Sequence, residues 1–426
     1  MPSRRVAYVS LLLLAACSAA FAGADPATAH QPRKADREFR VATFNASLNR
    51  TSEGRLVTDL SAPGNAQAAT IAEIVQRVRP DIILINEFDY DADGRAARLF
   101  QDNYLSLPQN GAKPIHFPYV YVAPSNTGIP SGKDLNNNGV VGGGDDAFGF
   151  GAYPGQFGMI VFSRYRILDD RVRTFQKFLW KDMPNARLPD NPATAAPADW
   201  YSPDELDIFR LSSKSHWDVP VVVNGRIVHV LASHPTPPVF DGPEDRNGTR
   251  NHDEIRLWAD YISSGKSSRY IYDDQGRRGG LRGDHFVVVG DQNSDPLDGD
   301  SIPGSAQLLL DHPRVNDSET PASAGATDAA ARQGGANATH RSDPKFDTAD
   351  FADTAPGNLR ADYVLPSCTL EIEASGVFWP QEGDPLFRLV GNFPFPSSDH
   401  RLVWVDLSFE RHDKWRSRKG YDSACN

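Results

Sequence analysis

The run Asp81 to Glu87 (DIILINE) constrains the fold more than any other segment, because its apolar side chains are near-continuous rather than alternating. Such a run is expected of a strand covered on both faces, so the chain must supply packing layers on either side of a sheet. Just upstream, Asn65 to Arg79 predicts a helix: Ile71, Ile74, Val75 and Val78 fall on one face at helical spacing, and Pro80 stops it. Phe39 to Asn45 (FRVATFN) predicts a short apolar strand before that helix. Further strands are predicted at Tyr119 to Ala123, Phe157 to Ser163, Val219 to Val223, Ile227 to Ser233, Phe286 to Gly290, Asp362 to Leu365 and Leu402 to Leu407. Asn224-Gly225 between two of them is a hairpin turn signal. Ile255, Trp258, Ala259 and Ile262 mark a second helix. Many strands with few helices predict one α/β (α+β) domain from about Phe39 to Phe409, with two sheets packed together and helices outside. Arg187 to Pro203 and Ser318 to Pro356, rich in Ala, Pro, Gly and Asp, read as long loops within it.

The ends of the chain read differently. Arg4 and Arg5 precede an apolar run from Val9 to Ala16 that is too short to span a bilayer, the charged-then-apolar order of an export signal. Two cleavage readings stand: Ala20-Phe21-Ala22 is a small-x-small site, and Leu14-Ala15-Ala16-Cys17 has the order of a bacterial lipobox, with Cys17 as the lipidated residue. Residues 1–22 are thus expected to be a signal, 23–38 a polar linker and 410–426 a C-terminal tail, with the protein exported either as a surface lipoprotein or freely secreted. In an oxidising compartment Cys368 and Cys425 predict a disulfide, the alternative being two free thiols.

Composition limits the partners. Forty-four Lys+Arg against 55 Asp+Glu give a formal charge of -11, which excludes a protein that coats polyanions by bulk attraction. A phosphate-bearing ligand must be held locally, by a metal ion or a few arginines.

Polar residues gather where the predicted strands end. Asn45 and Glu87 end the first two, His234 follows Ala232-Ser233, Asp291 and Asn293 follow Gly290 as GDQN, Asp362 opens Asp-Tyr-Val-Leu, and Asp399-His400 follows Ser397-Ser398. One such residue is usually a turn-former. Six in order are not explained by turn chemistry and indicate a site at the sheet rim.

The ordered set TFN, INE, SHP, GDQN, RADYVL and SSDHR resembles the endonuclease/exonuclease/phosphatase superfamily, the deoxyribonuclease I-like metal-dependent phosphoesterases, from about Phe39 to Leu407. The resemblance implies a four-layer α/β sandwich, two packed mixed β-sheets flanked by helices, with the site at one end. It implies that Glu87 is the main Mg²⁺ ligand with Asn45 beside it, Asp291 orients or deprotonates the attacking water, and Asn293 holds a phosphoryl oxygen. It further implies that Asp399 orients His400, that Asp362 supports one of the two histidines, and that His234 lies across the scissile phosphate. The sequence departs from the family pattern at Gln292, where Phe is usual, and at Ser47, where some members carry an acid.

Elementary chemistry agrees with these roles. Phosphoester hydrolysis needs an activated water and neutralisation of charge on the phosphoryl oxygens. Mg²⁺, or Mn²⁺ in its place, prefers oxygen ligands and keeps several waters, so one or two carboxylates and an amide suffice. A carboxylate beside a histidine fixes its tautomer and raises its basicity. His234, followed by Pro235, Pro237 and Pro238, also reads as the start of a rigid loop. Arg246 or Arg250, ahead of the Trp258 helix, would clamp a substrate phosphate or simply pair within a salt-bridged loop.

A separate loop, Asp134 to Asp145, places oxygen side chains at positions 1, 3, 5 and 12 (Asp134, Asn136, Asn138, Asp145), glycine at 6 and the Val140 carbonyl at 7. This is the EF-hand-like order and predicts structural Ca²⁺; a plain Gly/Asn-rich insertion is the alternative. The expected activity is that of a monomeric, exported phosphoesterase, with nucleic acid, small phosphoesters and phospholipid all left open as substrates. A non-catalytic surface module on the same fold is the competing reading. A sphingomyelinase-like role would ask for an exposed apolar hairpin, for which Phe148, Phe150 and Tyr153 are candidates, although they also read as core. Membrane attachment would come only through a lipid on Cys17.

Overall fold

The computed structural model describes residues 38–263 and 265–409. The signal, Cys17, most of the linker, the C-terminal tail and Cys425 lie outside the described residues. Cys368 is disulfide-bonded.

Two six-stranded sheets form the body. In chain order the strands are β1 (Phe39–Asn45), β2 (Ile82–Asn86), β3 (Tyr119–Tyr121), β4 (Met159–Ser163), β5 (Arg166–Ile167), β6 (Arg173–Thr174), β7 (His216–Val223), β8 (Arg226–Ser233), β9 (Phe286–Asp291), β10 (Ala349–Asp350), β11 (Asn358–Leu359), β12 (Asp362–Pro366), β13 (Leu370–Val377) and β14 (Val403–Phe409). The first sheet runs β13-β14-β1-β2-β4-β3 and the second β12-β9-β8-β7-β5, with β6 also on β7 and a separate β10-β11 pair. The helices are α1 (Arg55–Leu60), α2 (Ala66–Val78), α3 (Arg95–Phe100), α4 (Pro203–Leu206), α5 (Arg246–Ile262), α6 (Gln307–Leu310) and α7 (Ala324–Gln333). Among the described residues no helix is long and apolar enough to cross a membrane.

Side-chain alternation explains the layering. On β9, Val287 and Val289 enter the core shared with the first sheet, whereas Phe286 and Val288 enter a second core with Ile255, Trp258 and Ile262 of α5. Strand residues of period two thus feed two cores at once, which is why the sequence reads as continuous rather than alternating. Each fully buried Val or Leu contributes roughly 1.5–3 kcal/mol. On the other side α2 covers the first sheet with Ile71, Ile74, Val75 and Val78. The Asn65 side chain caps it by accepting from Ala68 N at 3.0 Å, and Arg79 leaves it in the left-handed region ahead of Pro80.

Strand direction places the rim residues. β1 and β2 are parallel with Asn45 opposite Asn86, and β8 and β9 are parallel with Ala232 opposite Val289. Their C-terminal ends therefore lie at one edge of the sandwich. β12 runs antiparallel to β9 and starts where β9 ends, so Asp362 pairs with Asp291.

One sequence expectation needs correction, and one eight-residue strand was missed. Ser318 to Pro356 is not a plain loop: it holds α7, capped by Ser323 onto Ala326 N, and β10. Its alanines are strong helix formers, a property the bulk composition concealed. The strand β13 was not predicted, because it is an edge strand with only its ends fully buried.

One buried histidine ties fold to pH. His216 at the start of β7 accepts at Nδ1 from Ser212 Oγ (2.7 Å) and donates Nε2–H to Glu254 O (3.0 Å), and burial pushes its pKa down to about 4. The unfolded histidine titrates near 6.5, so between these values unfolding takes up a proton: this stability is full above about 6.5 and is lost as pH falls toward 4. Urea unfolding should show a loss of roughly 2 kcal/mol from this residue between pH 7 and pH 5. His216→Gln should flatten the pH dependence by that amount, and an unchanged slope would refute the assignment.

Candidate active site

A cleft of about 1170 Å³ opens at this edge, lined by Glu87, His234, Asp291, Asn293, Asp399 and His400 among others. Asp291 is its centre. Asp291 Oδ2 receives Asn45 Nδ2 at 3.0 Å and lies 3.4 Å from His234 Nε2 and 3.6 Å from His400 Nε2. Burial raises the Asp291 pKa to about 7, with the Asp362 carboxylate adding to the rise and His400 opposing it.

The backbone is bent to deliver these groups. Ser47, Glu87 and Asn293, each just past a strand end, have φ of 47°, 57° and 51°. The left-handed region costs a non-glycine residue roughly 1–2 kcal/mol, which the sheets on either side sustain. Gly290 precedes Asp291 with φ 141°, and a Cβ there would meet Ser233 O at 2.0 Å. Only glycine lets β9 approach β8 this closely.

The two histidines differ in charge state. Burial alone would lower His400, but Asp362 and Asp291 hold it well above the usual imidazole range. Its Nδ1 donates to Asp362 Oδ2 at 2.8 Å, its N donates to Ser398 Oγ at 3.1 Å, and the Phe351 ring packs edge-on at 5.2 Å. His234 is pushed well below that range by burial, with Lys214 and His400 adding to it, so it is neutral.

Glu87 accepts Asn45 Nδ2 at 3.2 Å and Asn49 Nδ2 at 2.7 Å. Burial raises its pKa, His400 opposes that, and the Asp399 carboxylate raises it further. The Glu87 and Asp399 carboxylates, met by amide and hydroxyl donors, together with the amide oxygen of Asn45 form an all-oxygen set that suits a hard divalent cation. Among the described residues, one group of three acid or histidine ligand atoms lies within 4.8 Å of one another, Asp291, Asp362 and His400. Within that group Asp362 Oδ2 is engaged, taking both His400 Nδ1 and Thr348 Oγ1 (2.9 Å), while Asp362 Oδ1 has no hydrogen-bond partner among the described residues. An imidazole held protonated is no ligand, so Glu87 and Asp399 are the better cation donors.

The family model for the endonuclease/exonuclease/phosphatase family matches residues 42–400. The chain belongs to this family. Several solved structures are similar to the chain. A protein of this name from Beutenbergia cavernae is 18% identical, with 88% of this chain and 72% of that one covered and a TM-score of 0.47. Sphingomyelinase C from Streptomyces griseocarneus is 15% identical (87% and 99% covered, TM-score 0.39), and truncated Caenorhabditis elegans TDP2 is 14% identical (87% and 98%, TM-score 0.39). No curated protein matches the chain.

Of the residues expected from the endonuclease/exonuclease/phosphatase pattern, the structure brings Asn45, Glu87, His234, Asp291, Asn293, Asp362, Asp399 and His400 to one edge, and corrects several roles. Asp362, not Asp399, orients His400; Asp399 instead accepts at Oδ1 from Ser398 Oγ (3.3 Å) and Ser47 Oγ (3.4 Å) on the Glu87 side. Adjacency in sequence suggested the wrong partner because His400 lies in extended backbone, bridged to Ala349, where successive side chains point to opposite sides. Arg250 is not a phosphate clamp: it is buried in α5, with Nε on Leu211 O (2.8 Å) and Nη2 on Phe148 O (2.5 Å) and Arg210 O (3.0 Å). Arg246 pairs with Glu244.

Of the apolar candidates, Phe148 is buried and Tyr153 Oη donates to Asp89 Oδ2 (2.6 Å), which leaves only Phe150 exposed. In the Asp134 loop, Asp134 accepts from Asn138 N and Gly139 N, but Asp145 is exposed. The next residue, Asp146, is the buried acid that closes the loop, accepting from Leu135 N and Gly142 N. None of the loop lines the cleft.

Sequence reasoning missed Asn49, Lys214 and Thr348. Asn49 lies four residues beyond Asn45 in irregular chain and reads in sequence as a polar loop residue. Lys214 is buried with Nζ 3.4 Å from Pro235 O, and its charge acts on Glu87 and His234. A lysine in SSKSH carries no strand-end signature. Thr348 sat in the stretch read as a loop.

Proposed function

We propose that this cleft hydrolyses phosphodiester or phosphomonoester bonds by divalent-metal-assisted attack of water. The observation that carries the reading is Asp291 set between a neutral and a protonated imidazole, with the Glu87/Asp399 carboxylate pair beside it. Members of the family are hydrolases acting on phosphoester bonds. Asp291, with a pKa near 7, takes the proton of the attacking water. The His400 imidazolium, held by Asp362, donates to a phosphoryl oxygen where charge builds up. Asn293 has its Nδ2 on Pro235 O at 3.1 Å, which sets the amide at the mouth of the cleft. Glu87, Asn45 and Asp399 would hold Mg²⁺ or Mn²⁺, which supplies Lewis-acid neutralisation of the phosphoryl oxygens.

The cleft walls favour a substrate with an apolar or aromatic group beside the phosphate. Phe351, Phe393, Phe395 and Phe240 line it, Phe240 and Phe393 being 87% and 85% exposed. Aromatic groups left in water beside a site form a binding face rather than core. This supports an aryl, nucleoside or lipid phosphoester and keeps the phospholipid phosphodiesterase reading in play. With Mg²⁺, the protein is expected to cleave bis-p-nitrophenyl phosphate. Phe240→Ser/Phe393→Ser should raise KM several-fold with kcat little changed. Plasmid DNA, sphingomyelin and p-nitrophenyl phosphate complete the comparison, and no turnover of any of the four would sink the proposal.

The charged-then-apolar N-terminus supports export. The Asp134, Asn136 and Asn138 oxygens, with Asp146 in place of Asp145, support a calcium loop.

A further inference from the structure

Asp347 follows the turn Pro344–Phe346 and is 1% exposed, yet neither of its carboxylate oxygens has a hydrogen-bond partner among the described residues. The carboxylates of Asp295, Asp298 and Asp343 stand around it and all act to push its pKa up, to about 8 with burial as the main cause. The cationic side chains nearby are directed elsewhere. Lys345 Nζ is 2.7 Å from Asp343, Arg341 Nε is 3.9 Å from Asp298, and Arg360 Nη2 is 3.7 Å from Asp317. Asp295 and Asp298 have partners of their own: Asp295 accepts from Leu297 N, Asp298 N and Arg360 N, and Asp298 from Arg341 N, Ser342 N and Ser342 Oγ.

A buried carboxylate with neither hydrogen bond nor counter-charge is strongly unfavourable, and a buried orphan group of this kind calls for an ion or water. A proton would neutralise the charge but sit on one oxygen, leaving the other bare. A cation engages both.

We propose that Asp347, with Asp295 beside it, is a ligand of a hard cation of the Ca²⁺ class at a position separate from the catalytic cleft. Calcium takes six to eight oxygens and mixes carboxylates with carbonyls and water, so a cage of three carboxylates is not required. The site has a structural consequence. The segment it would pin contains Thr348, whose Oγ1 donates to Asp362 Oδ2 at 2.9 Å and accepts Asp362 N at 2.9 Å, and whose carbonyl accepts Arg401 N at 2.7 Å. A cation on Asp347 therefore steadies the support of the Asp362/His400 pair.

The test uses metal-stripped protein and its Asp347→Asn variant, which keeps the shape and removes the charge. Bound metal is measured by mass spectrometry and thermal unfolding is followed with Ca²⁺, Mg²⁺ or Na⁺ added. The wild type should bind one more equivalent of Ca²⁺ than the variant and gain several degrees more in Tm from it. In EDTA at pH 9, above the raised Asp347 pKa, the variant should be at least as stable as the wild type, because the uncompensated charge is gone. Should Asp347→Asn fail to fold, Asp295→Asn is read instead, with Ca²⁺ affinity expected to fall several-fold. Equal stoichiometry and equal Ca²⁺-induced shifts would overturn the proposal, as would a wild type stabilised only by lowering pH, the mark of a protonated Asp347. Neither readout depends on phosphoesterase turnover.

Discussion

Asp291→Asn is expected to lower kcat/KM by about 10²–10⁴-fold, the span of a lost general base, and His400→Ala to do the same. Thermal stability should barely fall in Asp291→Asn, since the substitution removes a buried charge and keeps an oxygen for Asn45 Nδ2 to donate to. The double variant should lose little beyond the worse single one, because Asp291 Oδ2 and His400 Nε2, 3.6 Å apart, act on the same reacting group. The pH profile gives an independent sign. Asp291 must be ionised to take a proton, so kcat/KM should rise with pH through an acid limb at or below about 7, the neighbouring cation drawing it down. Steady-state kinetics from pH 4 to 9 on an aryl phosphodiester decide the matter. Wild-type turnover in both single variants would place the chemistry elsewhere.

Chelation is expected to have an equally large effect. EDTA should reduce turnover to background, and Mg²⁺ or Mn²⁺ should restore it, since Glu87, Asp399 and the Asn45 amide offer only hard oxygen donors. The outer contact is separately testable: Asn49 Nδ2 donates to Glu87 Oε2 at 2.7 Å, and removing such an orienting partner typically costs 10–100-fold in metal affinity. Asn49→Ala should therefore raise the Mg²⁺ concentration for half-maximal activity by about that factor, with kcat at saturating Mg²⁺ near the wild-type value. Full activity in a metal-free preparation would end the metal-assisted mechanism.

The sequence by itself determined the strands that build the site and the residues at their ends. DIILINE reads as a doubly covered strand, and Asn45, Glu87, Asp291 and Asp362 terminate or open such strands, so their common edge followed once strand directions were known. Local pattern carries this because burial on both faces is written in the side chains of the strand itself. Pairing across the cleft was not legible. Asp362 rather than the adjacent Asp399 meets His400, Arg250 spends its guanidinium on backbone carbonyls, and Asp146 rather than Asp145 turns into its loop. Each of these depends on where a turn directs one side chain, and a rotation of one residue changes the partner while leaving composition and spacing the same. Thr348, Lys214 and the orphaned Asp347 belong to the tertiary structure alone, because their roles arise from burial against residues distant in sequence, and no local periodicity records that.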